Sequence, residues 1–447
     1  MDIASNNDAL GLLTDLYELT MLQAYWHESM NETATFSLFF REMPLQRNFM
    51  LACGQEYAAR LVRQLHFPAE QVDRLKALDL FQDAFLEWLQ DFHFQGDIHC
   101  LPEGTPVFPH EPIMEITAPL MEAQLLESLL MNLVHLETVL ASKAVRMVLA
   151  AGDRPVVDFG MRRMHGSDAA LRGVRAYRAA GLAGTSNVLG GLQHDLPLRG
   201  TMAHAYIQAH DDELAAFRAY SRLYPGTTLL VDTYDSRGGV DKVIRLARDE
   251  GLDIGAIRLD SGNLAKQALD ARRQLDAAGL ESIRILVSGG LDEYRISRLL
   301  AEGAPIDGFG VGTSMGAASD APTLDLAYKL TEYAGRPRLK NSPGKQLFPG
   351  LKQVWRQRDA QGRYQQDRIT ARDEQGEGQP LLQPVIRAGA PCREAPDLSV
   401  TRRQVATHLE KLPESLLSLT PSECYPVQFS ERLKALRESV LQELPDN

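Results

Sequence analysis

The sequence has few cysteines and no long apolar run. Its four cysteines are scattered over 447 residues with no CxxC pair, so neither a disulfide framework nor a zinc ribbon is expected. The acidic N-terminus lacks the apolar core of a signal peptide. No stretch reaches the roughly 18 uncharged apolar residues that a membrane span requires. We therefore expect a cytoplasmic protein.

The sequence also lacks an excess of basic residues. Lys and Arg number 47 against 59 Asp and Glu, which gives a net charge of −12. A general nucleic-acid-binding protein is disfavoured, because phosphate contacts need a basic face. This charge balance is compatible with a local basic pocket for a small phosphorylated ligand. The content of hydrophobic (44%) and charged (24%) residues is that of a globular protein.

Short apolar runs that end in small or polar residues recur between residues 155 and 315. Helical stretches such as 239–250, 264–278 and 292–302 lie between them, which favours a parallel sheet with right-handed crossovers. Seven runs suit a barrel, whose loops after the strands meet at one mouth; an open sheet is the alternative. The runs are VVDFGMRR (156–163), TSNVLGG (185–191), TMAHAY (201–206), TLLVDTYDS (228–236), IGAIRLDSGN (254–263), IRILVSGG (283–290) and IDGFGVGTS (306–314).

The flanking segments mix strands and helices. Residues 33–41 and 96–117 predict strands, and the leucine spacing in 121–151 predicts a long core helix. Residues 354–385 predict strands joined by turns, and 431–443 an amphipathic helix. We therefore predict three parts: an N-terminal α+β domain (1–120), an α/β barrel catalytic domain (121–335) and a C-terminal segment that completes the second domain (336–447).

Two glycine-rich strand ends predict a phosphate site. Gly289 and Gly290 end one run, and Gly312 and Thr313 end the next. Glycine lets backbone N–H groups approach an anion closely, and a hydroxyl adds a donor. Each segment alone could be only a tight turn, but two at neighbouring strand ends favour phosphate.

Charged residues end three other runs. Arg162 suits bidentate recognition of phosphate, and strand alternation sends Arg258 and Asp260 to one face. Asp232, Asp235 and Asp260 offer the hard oxygen ligands that Mg²⁺ prefers. Helix caps or an internal ion pair are the alternatives.

Two further residues keep more than one interpretation. His204 could be a structural hydrogen-bond partner, a nucleophile or a proton shuttle. Phe159 could stack on an aromatic ligand or belong to the core. Spacing alone does not decide between these roles.

The whole pattern resembles the nicotinate phosphoribosyltransferase family. The likeness runs from residues 14–26 to 349–356 and continues weakly in the C-terminal tail. Its motifs, in family order, are TDLYELTM, FFREMP, GDIHCLPEGTPVFPHEPIMEI, DFGMRRMHG, GTSNV, GTMAHAY, VDTYDS, IRLDSGNL, VSGGLDE and GFGVGTS. The resemblance implies the irregular α/β barrel of type II phosphoribosyltransferases, with a second α+β domain built from N-terminal and C-terminal segments, and a homodimer with shared active sites.

The resemblance also implies a reaction. Nicotinate and 5-phosphoribosyl 1-diphosphate would give nicotinate mononucleotide and diphosphate, in NAD salvage. The synthesis would require Mg²⁺ and be coupled to ATP, which transiently phosphorylates His204. Tyr17, contributed across the dimer interface, and Phe159 would stack on the two faces of the pyridine ring.

The remaining roles follow by the same match. Arg162 and Arg258 would lie near the diphosphate and the base, with Thr201 beside the base. Asp232 and Asp260 would lie near the ribose and Mg²⁺. The 5′-phosphate cradle would be formed by Gly289, Gly290, Gly312 and Thr313.

Four positions bear on substrate choice or depart from the family. Nicotinamide phosphoribosyltransferase shares this layout but recognises its carboxamide with an aspartate, where we place the neutral Asn187. A carboxylate there would repel nicotinate, so Asn187 and Arg258 favour the acid. Gly290 replaces a common acidic residue, and Leu347 replaces a common hydroxyl residue, so we assign no ligand contact to Leu347.

Other classes of protein fit the sequence less well. A quinolinate-type phosphoribosyltransferase would need more basic residues and gives His204 no role. A barrel isomerase or aldolase would need a catalytic Lys or Glu at a strand end. A degenerate nucleotide-sensing protein would not need His204, Asp260 and both glycine turns intact.

Overall fold

A computed structural model describes residues 7–341 and 347–443 of the chain. Within these residues it contains 19 strands, 17 α-helices and two short 3₁₀ helices, Asn7–Leu12 and Met161–Arg163. The strands β1 to β19 are, in chain order, Thr33–Phe40, Met50–Leu51, Asp97–Cys100, Pro106–Val107, Met114–Pro119, Val156–Asp158, Gly184–Thr185, Thr227–Leu230, Ile254–Leu259, Arg284–Val287, Gly308–Val311, Leu326–Tyr333, Arg336–Pro337, Lys352–Arg358, Tyr364–Ala371, Gln379–Pro380, Gln383–Arg387, Ala390–Pro391 and Val427–Phe429.

The helices are numbered in the same way. In chain order, α1 to α17 are Leu16–His27, Gln55–Val62, Ala69–Lys76, Asp83–Gln90, Leu120–Leu125, Glu127–Ala151, Ser167–Ala180, Val188–Gln193, His204–Gln208, Glu213–Leu223, Ser236–Asp249, Leu264–Ala277, Glu293–Ala301, Thr313–Gly316, Leu398–Lys411, Glu414–Leu417 and Glu431–Glu443.

The chain forms two compact units. Unit 1 combines residues 1–142 and 321–447, and unit 2 is the continuous segment 143–320. The domain boundaries predicted from the sequence, near residues 120 and 335, stay a prediction.

Unit 2 is built around one parallel sheet. Its six strands lie in the order β7-β6-β11-β10-β9-β8, and every neighbouring pair is parallel. Strand β9 is a nearly continuous apolar run, as is usual for a strand covered on both faces of a parallel sheet. Its Ala256, Ile257 and Leu259 are all buried. Helix α11 covers the sheet with Val240, Val243 and Leu246, which recur at helical spacing.

One predicted strand is absent from this sheet. The run at 201–206 was expected to be a strand, but 201–203 is irregular and α9 begins at His204. In the described residues β7 and β8 form the two edges, and only Leu198 makes an isolated parallel bridge, to Thr185 of β7. The sheet is therefore a curled half-barrel, which is the irregular α/β barrel expected from the sequence.

Unit 1 contains the other sheets found in the described residues. A seven-stranded sheet has the order β13-β12-β1-β5-β3-β17-β18, a four-stranded sheet the order β16-β14-β15-β19, and β2 pairs with β4. The strands predicted near 33–41 and 96–117 are confirmed as β1 and β3 to β5, and the helix predicted at 431–443 as α17. The predicted second α+β domain, made from both ends of the chain, is thus confirmed.

The long apolar helical segment is a core element. Among the described residues, the segment Leu120–Ala151 alone is long and apolar enough to cross a membrane, and 67% of its most apolar window is buried within the protein. Leu126, Leu130 and Val134 are fully buried at four-residue spacing. The predicted core helix is confirmed, as α5 and α6.

Candidate active site

Two aspartates meet where β8 and β9 end. Asp232 Oδ2 accepts hydrogen bonds from the backbone N–H of Asp260 (2.7 Å) and from the N–H and hydroxyl of Ser261 (2.9 and 3.0 Å). Asp260 in turn accepts a short hydrogen bond from the hydroxyl of Ser288, which follows β10. The carboxyl ends of three neighbouring strands are thus connected, as the sequence predicted for a parallel sheet.

Arg258 lies in β9, two residues before Asp260. Its Nη1 donates to Thr201 Oγ1 (2.7 Å) and its Nη2 to the carbonyl of Met202 (3.3 Å), while Nε is buried without a hydrogen-bond partner. Burial lowers the pKa of Arg258, and the nearby Asp260 and Asp232 oppose this effect. The side chain therefore presents a partly desolvated cation, whose attraction for an anion is stronger than in water.

Phe159 faces this cation. The Arg258 guanidinium lies 5.8 Å from the centroid of the Phe159 ring, within cation–π range. Phe159 follows β6 and its N–H donates to the carbonyl of Val311 (2.6 Å). A side chain at Gly310 would overlap the Phe159 ring, so this glycine makes room for the aromatic face.

The Gly289–Gly290 turn has a backbone that other residues rarely adopt. The φ angles are +87° at Gly289 and +59° at Gly290, in the region that glycine populates freely. A Cβ at Gly289 would overlap the carbonyl oxygen of Asp260. Arg295 Nη1 donates to the carbonyls of Gly289 (3.1 Å) and Gly290 (3.3 Å), which fixes the orientation of these two peptide groups.

The second glycine turn leads into a short helix. Gly312 is the N-cap of α14, and Thr313 is its first residue. Thr313 Oγ1 accepts a hydrogen bond from Arg163 Nη1 (3.2 Å). Arg162, its neighbour, is exposed and close enough to Arg258 to contribute to the lowering of that pKa. Both predicted phosphate turns thus follow neighbouring strands, β10 and β11.

His204 begins α9 and is half-buried. Its Nδ1 lies 3.1 Å from Thr233 Oγ1, and Thr233 directly follows Asp232. The connection places the imidazole beside the aspartate loop after β8, with Nε2 left for another partner. His204 contacts the loop after β8, Arg258 lies in β9 and Gly312 follows β11 of the same sheet. That the three residues meet at one site stays a prediction.

Two residues considered in the sequence analysis, Asp235 and Asn187, are helix caps in the structure. Asp235 caps α11, since its Oδ2 accepts the N–H of Gly238 (2.8 Å). Asn187 is 1% exposed and caps α8: its Oδ1 accepts the N–H of Gly190 (3.1 Å), and its Nδ2 donates to the carbonyl of Ala170 (3.3 Å). Both ends of the Asn187 amide are therefore engaged in the protein interior.

Ser186, the residue before Asn187, was not predicted from the sequence to belong to the site. By strand alternation Ser186 faces the same side as Gly184, where a Cβ would overlap Arg199. Ser186 is half-buried, and Arg199 lines a cavity of about 390 Å³ together with Phe159, Thr201 and Arg258. Ser186 is thus more accessible to a ligand than Asn187, whose amide is engaged in the protein interior.

Tyr17 belongs to unit 1. It lies in α1 with 45% of its surface exposed, and lines a cavity of about 590 Å³ with Glu127, Asn132 and His135. Burial of its hydroxyl, reinforced by Glu127, raises the pKa of Tyr17. Leu347 also belongs to unit 1, where it packs with Phe39 and Ala327 in the core. Residues 345 and 346, which precede it in the segment that differs from the family pattern, lie outside the described residues.

The acidic pair suits a magnesium ion. Asp232 Oδ1 is buried and has no hydrogen-bond partner, which is a costly arrangement unless a cation or water satisfies it. In the described residues no cluster of three or more His, Cys, Asp or Glu side chains forms a metal site. Mg²⁺ is commonly bound by only one or two carboxylates, with waters and ligand phosphates completing the shell, so Asp232 and Asp260 fit it.

Known proteins are similar to this chain in sequence and fold. A family model described as the nicotinate phosphoribosyltransferase (NAPRTase) family matches residues 155–347, and models of its N-terminal and C-terminal domains match residues 12–135 and 375–437. Nicotinate phosphoribosyltransferase pncB2 of Mycobacterium tuberculosis is 48% identical over 426 residues, 94% of this chain and 92% of the relative. The Bacillus subtilis nicotinate phosphoribosyltransferase is 35% identical, over 96% and 95% of the two chains.

A solved structure agrees with these relatives. The crystal structure of human nicotinic acid phosphoribosyltransferase has a TM-score of 0.85 and 27% identity, covering 96% of this chain and 99% of the human one. Fold and glycine turns together place the protein among the phosphoribosyltransferases, a class of enzymes. With three family models and close relatives over nearly its whole length, the chain belongs to the nicotinate phosphoribosyltransferase family.

Proposed function

We propose that this enzyme makes nicotinate mononucleotide and diphosphate from nicotinate and 5-phosphoribosyl 1-diphosphate at the carboxyl edge of the six-stranded sheet, coupled to ATP. NAD salvage is the role of the family. The observation that best supports this site is Arg258, a partly desolvated cation 5.8 Å from the Phe159 ring centroid. This combination suits a flat ring that carries a carboxylate.

Phe159 and Arg258 would hold the base. The ring would stack on Phe159, and the unpartnered Nε of Arg258 would donate to the nicotinate carboxylate, as guanidinium groups do in charge-assisted hydrogen bonds. Ser186 and Thr201 would border the ring. The pyridine nitrogen is unprotonated near neutral pH, so attack on C1′ of the ribose needs no general base.

The two glycine turns and the arginines would hold the sugar phosphate. Arg295 keeps the carbonyls of Gly289 and Gly290 turned toward itself, so the peptide N–H groups of this turn are free to face the 5′-phosphate. Gly312 and Thr313 would add donors from the neighbouring strand end. Alignment of two bound reactants then supplies much of the rate enhancement.

Asp232 and Asp260 would hold Mg²⁺ beside the ribose. The ion, when bound, neutralises negative charge on the departing diphosphate. The C1′–O bond to diphosphate breaks as the C1′–N bond forms, and positive charge develops on the ribose. The two carboxylates would stabilise that charge electrostatically, and the exposed Arg162 would contact the diphosphate.

His204 would accept the phosphoryl group from ATP. Because Thr233 occupies Nδ1, the new P–N bond would form at Nε2 as the bond to the ADP oxygen breaks. Later transfer of the phosphoryl group to water restores the imidazole. A phosphate at this position adds negative charge that would order Mg²⁺ and the arginines.

The remaining features of the proposal concern assembly. We place the enzyme in the cytoplasm as a homodimer. Tyr17, exposed on unit 1, would stack on the pyridine ring bound in the partner's active site. Its exposure is consistent with such a role, since a large aromatic side chain open to solvent gains from burial at an interface.

The ATP coupling is tested by His204→Ala. Mononucleotide formation from nicotinate, phosphoribosyl diphosphate and Mg²⁺ is followed with and without ATP. The wild-type rate should rise with ATP, and His204→Ala should lose that stimulation while keeping a residual rate.

The matched control for this test is His210→Ala. His210 lies two residues after the end of α9, and its Nδ1 is hydrogen-bonded to the Tyr206 carbonyl. His210→Ala should keep the stimulation by ATP. With γ-labelled ATP, the wild type and His210→Ala should each carry an acid-labile label, and His204→Ala should carry none. Full stimulation of His204→Ala would exclude His204 as the phosphoryl acceptor.

A further inference from the structure

A basic groove in unit 1 contains none of the residues assigned to the reaction. Its wall on one side is a face of α15 that carries Arg403, His408 and Lys411, and on the other side it is formed by Arg358 of β14. The groove has a volume of about 380 Å³. An adjoining cavity of about 480 Å³ shares Glu56 and Arg393 with it and adds Arg60 and Arg63.

The groove concentrates positive charge in an acidic protein. Arg358, Arg393, Arg403 and Lys411 line it against a single carboxylate, Glu56, although the chain as a whole carries a net charge of −12. Arg393 is paired with Glu56 at 2.9 Å. Across residues 7–341 and 347–443, no carboxylate lies within ion-pair distance of the other three cations.

The pKa of His408 is affected by the same excess of positive charge. Burial lowers the pKa of His408 to about 4, with further lowering by Arg356, Lys411 and Arg358. Its Nδ1 lies 2.6 Å from the Tyr364 hydroxyl. When the phenol donates this bond, the neutral ring carries its proton on Nε2 and adds a neutral donor to a groove of cations.

We propose that this groove binds a small polyphosphate anion, that is, a compact molecule with two or more phosphate groups. Guanidinium groups recognise phosphate oxygens in bidentate geometry, and the two cavities together place five arginines and a lysine beside only two carboxylates, Glu56 and Glu394. The groove volume falls within the range of small-molecule sites. A single monovalent anion would leave most of these cations uncompensated.

The aromatic side chain in the groove does not favour a nucleobase. The Tyr364 ring already lies under two guanidinium groups, with Arg356 at 4.9 Å and Arg358 at 5.7 Å from its centroid. Tyr364 is only 3% exposed, so its ring is not open to a stacking base, and recognition would depend on the phosphates. Binding would bring α15 and β14 together through a shared anion and stabilise the folded state by linkage.

The test compares how many equivalents of inorganic tripolyphosphate bind, measured by titration calorimetry at constant ionic strength. The groove variant is Arg403→Gln with Lys411→Gln. The control is Arg402→Gln with Lys434→Gln, which removes the same two charge types from exposed positions outside the groove. Wild type and control should bind one equivalent more than the groove variant.

Any tripolyphosphate that still binds in the groove of this variant should bind at least about tenfold more weakly than in the wild type, since each lost contact is a charge-assisted hydrogen bond. The kcat/KM of the groove variant without tripolyphosphate should match the wild-type value. The single variant Arg403→Gln, at an exposed position of α15, gives the same comparison if the double variant folds poorly. Equal equivalents and affinities in wild type and groove variant would overturn the proposal.

Discussion

The Asp232 carboxylate accepts the backbone N–H of Asp260, with 2.7 Å between Oδ2 and N. One oxygen thus joins the loops that follow β8 and β9. The other, Oδ1, is buried without a hydrogen-bond partner. The same side chain therefore fixes the shape of the sheet edge and offers a free oxygen to a cation.

Asp232→Asn separates these two functions. The asparagine oxygen can still accept the loop N–H groups, but the charge that attracts Mg²⁺ is lost. We expect the apparent Mg²⁺ affinity, from initial rates against Mg²⁺ concentration, to fall at least about tenfold. Asp235→Asn, at a helix cap, is the control and should leave the dependence of the rate on Mg²⁺ unchanged. A wild-type Mg²⁺ dependence in Asp232→Asn would refute the metal assignment.

Gly289→Ala and Gly290→Ala should differ strongly. A Cβ at Gly289 would overlap the Asp260 carbonyl oxygen, whereas at Gly290 its nearest neighbour is the flexible end of Arg295, at 3.2 Å. Both residues have positive φ, so each alanine costs about 1–2 kcal/mol in backbone strain. We expect the KM for phosphoribosyl diphosphate to rise more than about tenfold in Gly289→Ala and far less in Gly290→Ala; equal KM values would contradict a phosphate role for this turn.

Ser186→Asp and Asn187→Asp test which residue faces the base. Aspartate at 187 can still accept the N–H of Gly190 as a helix cap, but it loses the donor to the Ala170 carbonyl. Aspartate at 186 would place a charge on the side of the sheet where Arg199 lines the cavity. We expect Ser186→Asp to lower kcat/KM for nicotinate more than Asn187→Asp does. The kcat/KM for nicotinamide is measured in parallel for both variants.

From the sequence, the neutral Asn187 together with Arg258 is predicted to favour nicotinate over nicotinamide. An Asn187→Asp enzyme with unchanged nicotinate kcat/KM would remove that argument. A larger loss in Asn187→Asp than in Ser186→Asp would instead show that the carboxylate at 187 reaches the substrate.

The stability of the protein should fall in mild acid because of His408. Its pKa is lowered from 6.5 to about 4, so between these values the unfolded chain binds a proton that the folded protein does not. The free energy of unfolding therefore falls as the pH decreases through this window, by about 1–2 kcal/mol at pH 5. His408→Gln should reduce the difference between urea denaturations at pH 7 and pH 5 by that amount; an unchanged difference would contradict it.

The strands and helices were mostly predictable from periodicity and turn residues. The helix at 431–443 and the strand at 33–40 follow from their apolar patterns. The strand predicted at 201–206 was wrong, because a short apolar run does not reveal whether a neighbouring strand edge is available for pairing. The structure pairs only Leu198 with Thr185 there, so the chain turns into α9 instead.

The site was predictable in its parts but not in its details. Strand ends with glycine, aspartate and arginine marked the edge of the sheet correctly, because parallel strands align their carboxyl ends. The role of Asn187 was missed although asparagine before a short helix is a strong cap signal. The closeness of Gly310 to Phe159 and the bonds from Arg295 to the glycine turn depend on tertiary packing, which no local pattern encodes.

The most direct test of the account is the identity of the product made by the purified wild-type enzyme. Nicotinate, nicotinamide and quinolinate are each supplied with phosphoribosyl diphosphate, Mg²⁺ and ATP, and the mononucleotides are separated by chromatography. We predict rapid formation of nicotinate mononucleotide, with nicotinamide and quinolinate used far more slowly. Preference for either of the other bases, or no transfer to nicotinate, would contradict the assignment of Arg258 and Phe159 as the nicotinate site.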